Sequence, residues 1–145
     1  LTDMLTRTLR EEEKNLELFA FLKHSIEFLN LSDNASPSFH LVFLFQLTRY
    51  LGFYPKEDFS EAQPFFDPVS CSFSSFAKMD QGDRERLLGK LWKRSFGTSY
   101  LSADQTFNSA QARNLFLDSL MEFYQVHQQG VGIPKSLDIV RSLFD

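Results

Sequence analysis

The sequence predicts a mainly α-helical fold, an irregular bundle around one buried central helix, with a loop or short hairpin inserted near residues 55–80. Three observations support this prediction. Apolar residues recur at helical spacing in several long segments, and one segment, Phe39–Leu51, is apolar almost throughout. The residues between 55 and 80 are instead rich in Pro, Ser, Asp and Phe, which favour an irregular connection.

Chain length and composition narrow the class of protein. A chain of 145 residues is long enough for one compact domain, and we predict that residues 1–145 form a single domain. Its 17 phenylalanines indicate an aromatic-rich core. The formal charge of −4 argues against nucleic-acid binding through overall charge, although a local basic face is compatible with it. Because the chain begins at Leu1 rather than Met, we interpret it as part of a longer protein.

Cysteine usage bears on redox setting and metal binding. The single cysteine, Cys71, rules out an internal disulfide and a site built from several cysteines. It is consistent with a reducing, cytoplasmic setting, and the first residues do not follow the pattern of a signal peptide.

The first predicted helix runs from Leu5 to Leu29. Apolar residues recur there at intervals of three, four or seven, which predicts one buried face formed by Leu5, Leu9, Leu16, Phe19, Leu22, Ile26 and Leu29.

The segment FHLVFLFQLTRYLGFYP, residues 39–55, is the most apolar stretch of the chain. It is too short and too often interrupted by polar residues for a membrane span, which needs about 20 apolar residues. It does not alternate as a half-exposed strand does. Gly52 and Pro55 supply a helix end, so we predict that Phe39–Leu51 is a helix buried on most sides.

The remaining segments are predicted in order along the chain. A short hairpin around Phe66–Phe73 lies in the irregular segment, and a third helix spans residues 80–96. A fourth helix spans residues 109–128, with Leu117, Leu120, Met121 and Tyr124 on one face, and a short last helix follows Pro134 and ends at Leu143 and Phe144.

No catalytic or metal-binding pattern emerges from the residues. His24, His40 and His127 lack paired ligand spacing, and none is next to Cys71 in the sequence. Cys71 has no neighbouring basic residue to lower its pKa, and adjacent Glu11, Glu12 and Glu13 point in different directions on a helix. We therefore predict a non-enzyme without cofactors. A helical enzyme domain, such as a small hydrolase, and a generic helical interaction or oligomerisation module are the alternatives.

One charged pattern is organised. The third predicted helix carries four cations at i, i+4, i+7 and i+8, within about a quarter of its circumference, while Leu88, Leu91 and Trp92 face the other way. These cations are Arg86, Lys90, Lys93 and Arg94. Such a stripe can hold phosphates or an acidic peptide, and a solvated helix face has the same pattern, so both interpretations stay open.

Taken in order, the segments resemble the C-terminal helical domain of the RecO family of recombination mediators, particularly its Bacteroides-type members. The resemblance rests on LREEEKNLELFAFLKHSIEFLN, on FHLVFLFQLTRYLGFYP with its LGFYP ending, on FFDPVSCSF, and on ARNLFLDSLMEFYQVHQQGVGIPKSLDIVRSLF. Two departures are visible. The oligonucleotide-binding (OB) β-barrel that precedes this domain in the family is not in the chain, and of a four-cysteine zinc module found in many relatives only Cys71 is present, so no zinc site is expected.

The resemblance implies a function in DNA repair. RecO proteins anneal single-stranded DNA, join RecR, and help load RecA onto DNA coated by single-strand-binding protein (SSB). The helical domain receives the acidic, Phe-ending tail of SSB, while the barrel supplies most of the DNA contact. The candidates for the SSB tail are Arg49, Lys56, Tyr50 and Phe53, and the candidates for an auxiliary DNA surface are Arg86, Lys90, Lys93 and Arg94. An apolar core role for Tyr50 and Phe53 is the main alternative. No membrane partner is expected.

Overall fold

The computed structural model describes residues 16–32, 36–75 and 82–127. These residues form five helices and one two-stranded antiparallel hairpin, which confirms the mainly helical fold class. The elements are α1 (Leu16–Leu31), α2 (Phe39–Leu51), β1 (Phe65–Asp67), β2 (Ser72–Ser74), α3 (Asp83–Ser95), α4 (Ala103–Thr106) and α5 (Ala110–His127). Within the described ranges, none of the helices is long and apolar enough to cross a membrane.

The central helix α2 has the predicted bounds. Eight of its residues are buried, namely Phe39, Leu41, Val42, Phe43, Leu44, Phe45, Leu47 and Thr48. It ends at Gly52, whose φ of 94° is left-handed and whose N–H donates to the Thr48 carbonyl at 3.1 Å. Glycine adopts this conformation without the steric cost that a Cβ would bring. The buried central helix is therefore confirmed.

The hairpin lies where the sequence predicts it. Phe66 of β1 pairs with Phe73 of β2, and Asp67 pairs with Ser72. The connecting turn is held by the Asp67 carboxylate, which accepts hydrogen bonds from the Val69 N–H at 3.0 Å and the Ser70 hydroxyl at 2.9 Å. These local bonds are typical of Asp in turns, and they close the hairpin without a long strand ladder.

Trp92 of α3 occupies the centre of the core. It is fully buried, and its ring lies 3.9 Å from that of Phe66, 4.9 Å from Phe116 and 5.4 Å from Phe123. The indole N–H donates to the Ser119 hydroxyl at 2.9 Å, so the one polar atom of the ring is satisfied. The central helix adds Phe45 at 6.0 Å. Trp92 thus joins α2, α3, α5 and the hairpin.

The predicted buried face of the first helix is partly wrong. The structure buries Leu18, Leu22 and Ser25, whereas Leu16 and Ile26 are 82% and 50% exposed. Phe19 is also exposed, and Leu5 and Leu9 lie outside the described residues.

The orientation of α1 follows from contacts that apolar periodicity does not record. Phe21 stacks on Phe43 and Tyr50 with ring centroids 5.3 and 4.8 Å apart. The Ser25 hydroxyl lies 2.6 Å from the Tyr100 hydroxyl. A polar residue therefore lies on the buried face, and the helix is turned away from the predicted orientation.

The later helices agree with the prediction. Leu117, Leu120 and Tyr124 are buried on α5, with Met121 packed beside them. Leu91 and Trp92 are buried on α3, and Leu88 is half-buried. The single-turn helix α4 is not predicted by the sequence, and the predicted last helix after Pro134 lies outside the described residues.

Candidate cation–aromatic binding surface

The basic stripe of α3 is exposed along its whole length. All four predicted cations are solvent-exposed: Arg86, Lys90, Lys93 and Arg94. Leu91 and Trp92 are buried on the opposite side of the same helix. The stripe is therefore available to an anionic partner.

Aromatic rings lie beneath three exposed cations around the hairpin. The Lys93 ammonium is 4.7 Å from the centroid of Phe59, and the Arg86 guanidinium is 5.4 Å from that of Phe65. The Arg49 guanidinium, at the end of α2, is 4.6 Å from the Tyr54 ring. Cation–π attraction at these distances fixes where long, flexible side chains place their charge.

The rings beneath Arg49 and Lys93 belong to one cluster. Tyr54 lies 5.7 Å from Phe96, Phe96 lies 6.5 Å from Phe73, and Phe73 lies 5.5 Å from Phe59. We call Arg49, Tyr54, Phe59, Lys93 and Phe96 the cation–aromatic surface. Its rings are partly exposed, except that the linking Phe73 is buried.

The surface connects residues that the sequence assigns to different partners. Arg49 is an SSB-tail candidate and Lys93 a DNA candidate, yet both rest on the same ring cluster. Cations beside partly exposed rings can bind carboxylates or phosphates and also contact an aromatic ring or a base. Sequence reasoning missed Tyr54, Phe59 and Phe96. Phe59 lies in the Phe-rich irregular segment, which is its only signal, whereas Tyr54 follows the second predicted helix and Phe96 ends the third, and neither carries such a signal.

The other tail candidates face different neighbours. Tyr50 is half-buried against Phe21. Phe53 is buried, with its ring 5.4 Å from Phe123 and stacked on the His127 imidazole at 5.5 Å. Lys56 is exposed, and its backbone N–H donates to the Cys71 carbonyl at 2.8 Å. Phe53 is therefore part of the core, and Arg49 and Lys56 are the accessible members of this set.

The structure places a basic residue beside Cys71, contrary to the expectation from the sequence. The Sγ atom of Cys71 lies 3.1 Å from Nε2 of His127. His127 is distant in the sequence, but as the last residue of α5 it lies beside the hairpin turn in the fold. The same Nε2 lies 2.6 Å from the Pro68 carbonyl. Since a carbonyl only accepts, Nε2 carries the hydrogen and does not act as a base toward the thiol.

The ionisation of Cys71 agrees with a structural role. Burial raises the pKa of the thiol, an effect that the Lys56 charge opposes and Asp67 reinforces. A nucleophilic cysteine needs a lowered pKa. The Cys71–His127 contact therefore attaches the hairpin turn to the end of α5 rather than forming a catalytic pair.

His40 is also placed by packing. Its ring is edge-on to Phe39 at 5.6 Å, and burial lowers its pKa to about 4, so the imidazole is neutral at pH 7. Among the residues that the structure describes, no three His, Cys, Asp or Glu side chains are grouped as a metal site requires.

The fold and this surface define a helical domain that presents cations on aromatic rings. Residues 1–82 match the family model described as "Recombination protein O C terminal", and the chain belongs to this family. Members of the RecO family are non-catalytic recombination mediators, which agrees with the prediction that this chain is not an enzyme.

Curated relatives are similar over the whole chain. DNA repair protein RecO from Christiangramia forsetii is 36% identical over 148 residues, covering 99% of this chain and 59% of the relative. RecO from Bacteroides fragilis is 35% identical, covering 100% and 60%. RecO from Flavobacterium johnsoniae is 37% identical, covering 99% and 59%. The chain thus spans about three fifths of these relatives' length, and no solved structure matches it significantly.

Proposed function

We propose that residues 1–145 form a single helical domain that serves as a non-catalytic adaptor in a RecO-type recombination mediator. In this role the whole protein anneals single-stranded DNA and, with RecR and SSB, helps load RecA in the cytoplasm. Family membership and the names of the relatives, which are DNA repair proteins, support the proposal. The observation that carries the binding role is the placement of exposed cations on aromatic rings around the hairpin.

The first proposed partner is the acidic, Phe-ending tail of SSB. Arg49 would pair with tail carboxylates, while the partly exposed rings of Tyr54 and Phe96 beside it offer an apolar contact for the terminal phenylalanine. Lys56 is a second accessible cation on the chain segment that follows α2. Tyr50 and Phe53 would act by holding the end of α2 rather than by direct contact, since both pack inward.

A labelled tail peptide tests this role. Fluorescence anisotropy should show the peptide binding the wild-type chain, and Arg49→Glu should weaken binding about tenfold or more, as expected for losing a charge-assisted pair and adding a repulsion. Lys23→Glu on α1 is the matched control because it makes the same charge change at another exposed position. Equal affinity for the wild type and Arg49→Glu would remove Arg49 from the site.

The second proposed partner is single-stranded DNA, bound along Arg86, Lys90, Lys93 and Arg94. Lys93 and Arg86 rest on the rings of Phe59 and Phe65, so the stripe combines positive charge with adjacent aromatic residues, as single-strand-binding surfaces do. The chain's net charge of −4 makes this local cluster, rather than overall charge, the basis of the proposal.

The salt dependence of binding to a thymine oligonucleotide tests the second role. Each phosphate contact on single-stranded nucleic acid contributes about 0.7 to the slope of log K against log salt. Lys90→Ala combined with Arg94→Ala should therefore reduce that slope by about 1.4. A double change of Lys23 and Lys56 to Ala provides a control with equal charge loss, and an unaltered slope in the Lys90/Arg94 variant would exclude the stripe.

A further inference from the structure

A second surface, opposite in charge, lies between α3 and α5. Two adjoining hollows of about 200 and 350 Å³ share Arg84, Leu115 and Asp118 in their walls and together form an open groove. Leu87 and Leu88 of α3 line the groove beside Leu115 of α5. We call this feature the acidic groove. It is formed by residues other than those of the cation–aromatic surface.

The charges around the groove are predominantly negative. Glu85, Asp118 and Glu122 contribute three carboxylates, against one guanidinium from Arg84. The leucines beneath these charged groups provide an apolar floor. A binding surface of this composition complements a ligand that carries leucine-type side chains flanked by lysine or arginine.

The groove is held open by the core beneath it. Phe66, which lines one hollow, stacks on Trp92 at 3.9 Å, and the Trp92 indole donates to Ser119 in the same wall at 2.9 Å. Both contacts fix side chains in the floor before any ligand arrives. A preformed site requires less ordering on binding, which favours affinity.

We propose that the acidic groove binds a basic amphipathic helix from a partner protein. A helix laid between α3 and α5 would place apolar anchors at i, i+3 or i+4 and i+7 on the leucines, and its flanking cations beside Glu85, Asp118 and Glu122. The domain then has two sites of opposite charge preference, one on each side of α3, and an acidic and a basic partner can be held at the same time.

Three fluorescein-labelled synthetic helical peptides of equal length test this proposal by anisotropy. The first has leucine anchors with flanking lysines, the second has the same leucines with glutamates, and the third has the lysines with alanines in place of leucines. The lysine–leucine peptide should bind at least tenfold more tightly than either of the others. Equal binding of the glutamate peptide would exclude charge selection, and equal binding of the alanine peptide would exclude the apolar floor; either result overturns the proposal.

Variants of the protein locate the site. Glu85→Lys combined with Glu122→Lys should weaken binding of the lysine–leucine peptide at least tenfold. Glu85→Gln combined with Glu122→Gln should weaken its binding by an intermediate amount. Glu17→Lys with Glu27→Lys on α1 makes the same charge change on an exposed face outside the groove and should alter binding less than twofold.

Two outcomes of the variant experiment contradict the groove. One is an equal loss of affinity in the groove and α1 variants, which would indicate unspecific attraction to an acidic protein. The other is sedimentation of the wild type as a dimer that the groove variant dissociates, without peptide binding, which would assign the groove to a second copy of the chain. Tryptophan fluorescence during urea unfolding verifies that each variant is folded.

Discussion

The helical core and the hairpin segment, residues 55–75, are held in different ways. In the core, Trp92 contacts rings from three other elements, and these rings also contact others, since Phe45 lies against Phe116 and Phe66 against Phe123. The hairpin has only two strands of three residues each. Its position depends on a few individual contacts, such as Phe66 on Trp92 and the approach of Pro64 to Gly89. Stability is therefore distributed in one region and localised in the other.

This difference matters for binding. Phe59 and Phe65, the rings beneath Lys93 and Arg86, both belong to the hairpin segment, whereas the cations themselves are on α3. A change in the core should unfold the whole domain, because packed rings act together. A change at a hairpin contact should loosen the rings of the surface while the helices remain folded. The predictions below test this separation.

The largest effect is expected from Trp92→Ala. Removing a fully buried aromatic side chain typically costs about 3–5 kcal/mol, a large part of a domain's stability. Urea unfolding followed by circular dichroism measures the loss, since Trp92 is the only tryptophan. Leu101→Ala is the control, because Leu101 is 86% exposed and its truncation should cost little. A loss below about 1 kcal/mol for Trp92→Ala would contradict the central role of this ring.

Gly89→Ala is expected to have the next largest effect. In an isolated helix this change stabilises by about 1 kcal/mol, but here the added Cβ would overlap the Pro64 carbonyl oxygen. Overpacking against backbone typically costs about 1–3 kcal/mol, so we expect net destabilisation and a displaced hairpin. The displacement should appear as weaker oligonucleotide binding at temperatures where circular dichroism shows intact helices.

Gly97→Ala is the control for Gly89→Ala. A Cβ at Gly97 meets no atom within 4 Å, so this variant should keep both stability and binding. An unchanged or raised stability for Gly89→Ala would show that the hairpin can move away from α3 at little cost. The hairpin would then be held to the core less firmly than we propose.

A smaller effect is expected at Asp58. Its carboxylate accepts a hydrogen bond from the Phe73 N–H at 2.9 Å, which ties β2 to the preceding loop. Asp58→Ala should cost about 1 kcal/mol and speed hydrogen exchange at the Phe73 amide, with core amides unchanged. Asp58→Asn keeps a hydrogen-bond acceptor, so its stability should lie between those of the wild type and Asp58→Ala. Glu57→Ala, at the adjacent position, is the control. Faster exchange throughout the core would contradict a local effect.

The sequence predicted the central helix α2 most fully, because the burial of this helix is nearly uniform around its axis. For α2, any rotation about the helix axis buries apolar residues, so an apolar run between a turn and Gly52 was sufficient. The prediction for α1 was partly wrong because apolar residues occur all around it, and the choice of face depends on the stacking of Phe21 and on Ser25 reaching Tyr100. Those partners are distant in the sequence, and periodicity carries no information about them.

The candidate site shows the same limit. Helical spacing was enough to place four cations on one exposed face of α3. It did not show that Lys93 and Arg49 rest on one ring cluster, because Phe59, Phe73 and Phe96 come together only through the hairpin. The contact between Cys71 and His127 was missed for the same reason, since 56 residues separate them.

The smallest expected effect is a pH dependence from His40. Burial lowers its pKa to about 4 in the folded protein, against about 6.5 in the unfolded chain. Between these values the unfolded state binds more protons, so stability falls as pH falls from 6.5 toward 4. Because the ring is only partly buried, solvent screens the effect, and we expect a contribution below about 1 kcal/mol between pH 6.5 and 5.

His40→Gln removes this titration and should make the urea midpoint less dependent on pH over that range. His24→Gln makes the same substitution at an exposed position of α1, and as a control for the substitution itself it should leave the urea midpoint at pH 7 unchanged. The imidazole of His40 lies against Phe39 at the start of α2, so its protonation would act on the core rather than on the hairpin. Loss of oligonucleotide binding at a pH where the helices remain folded would instead locate the sensitive group in the hairpin segment, and it would count against His40.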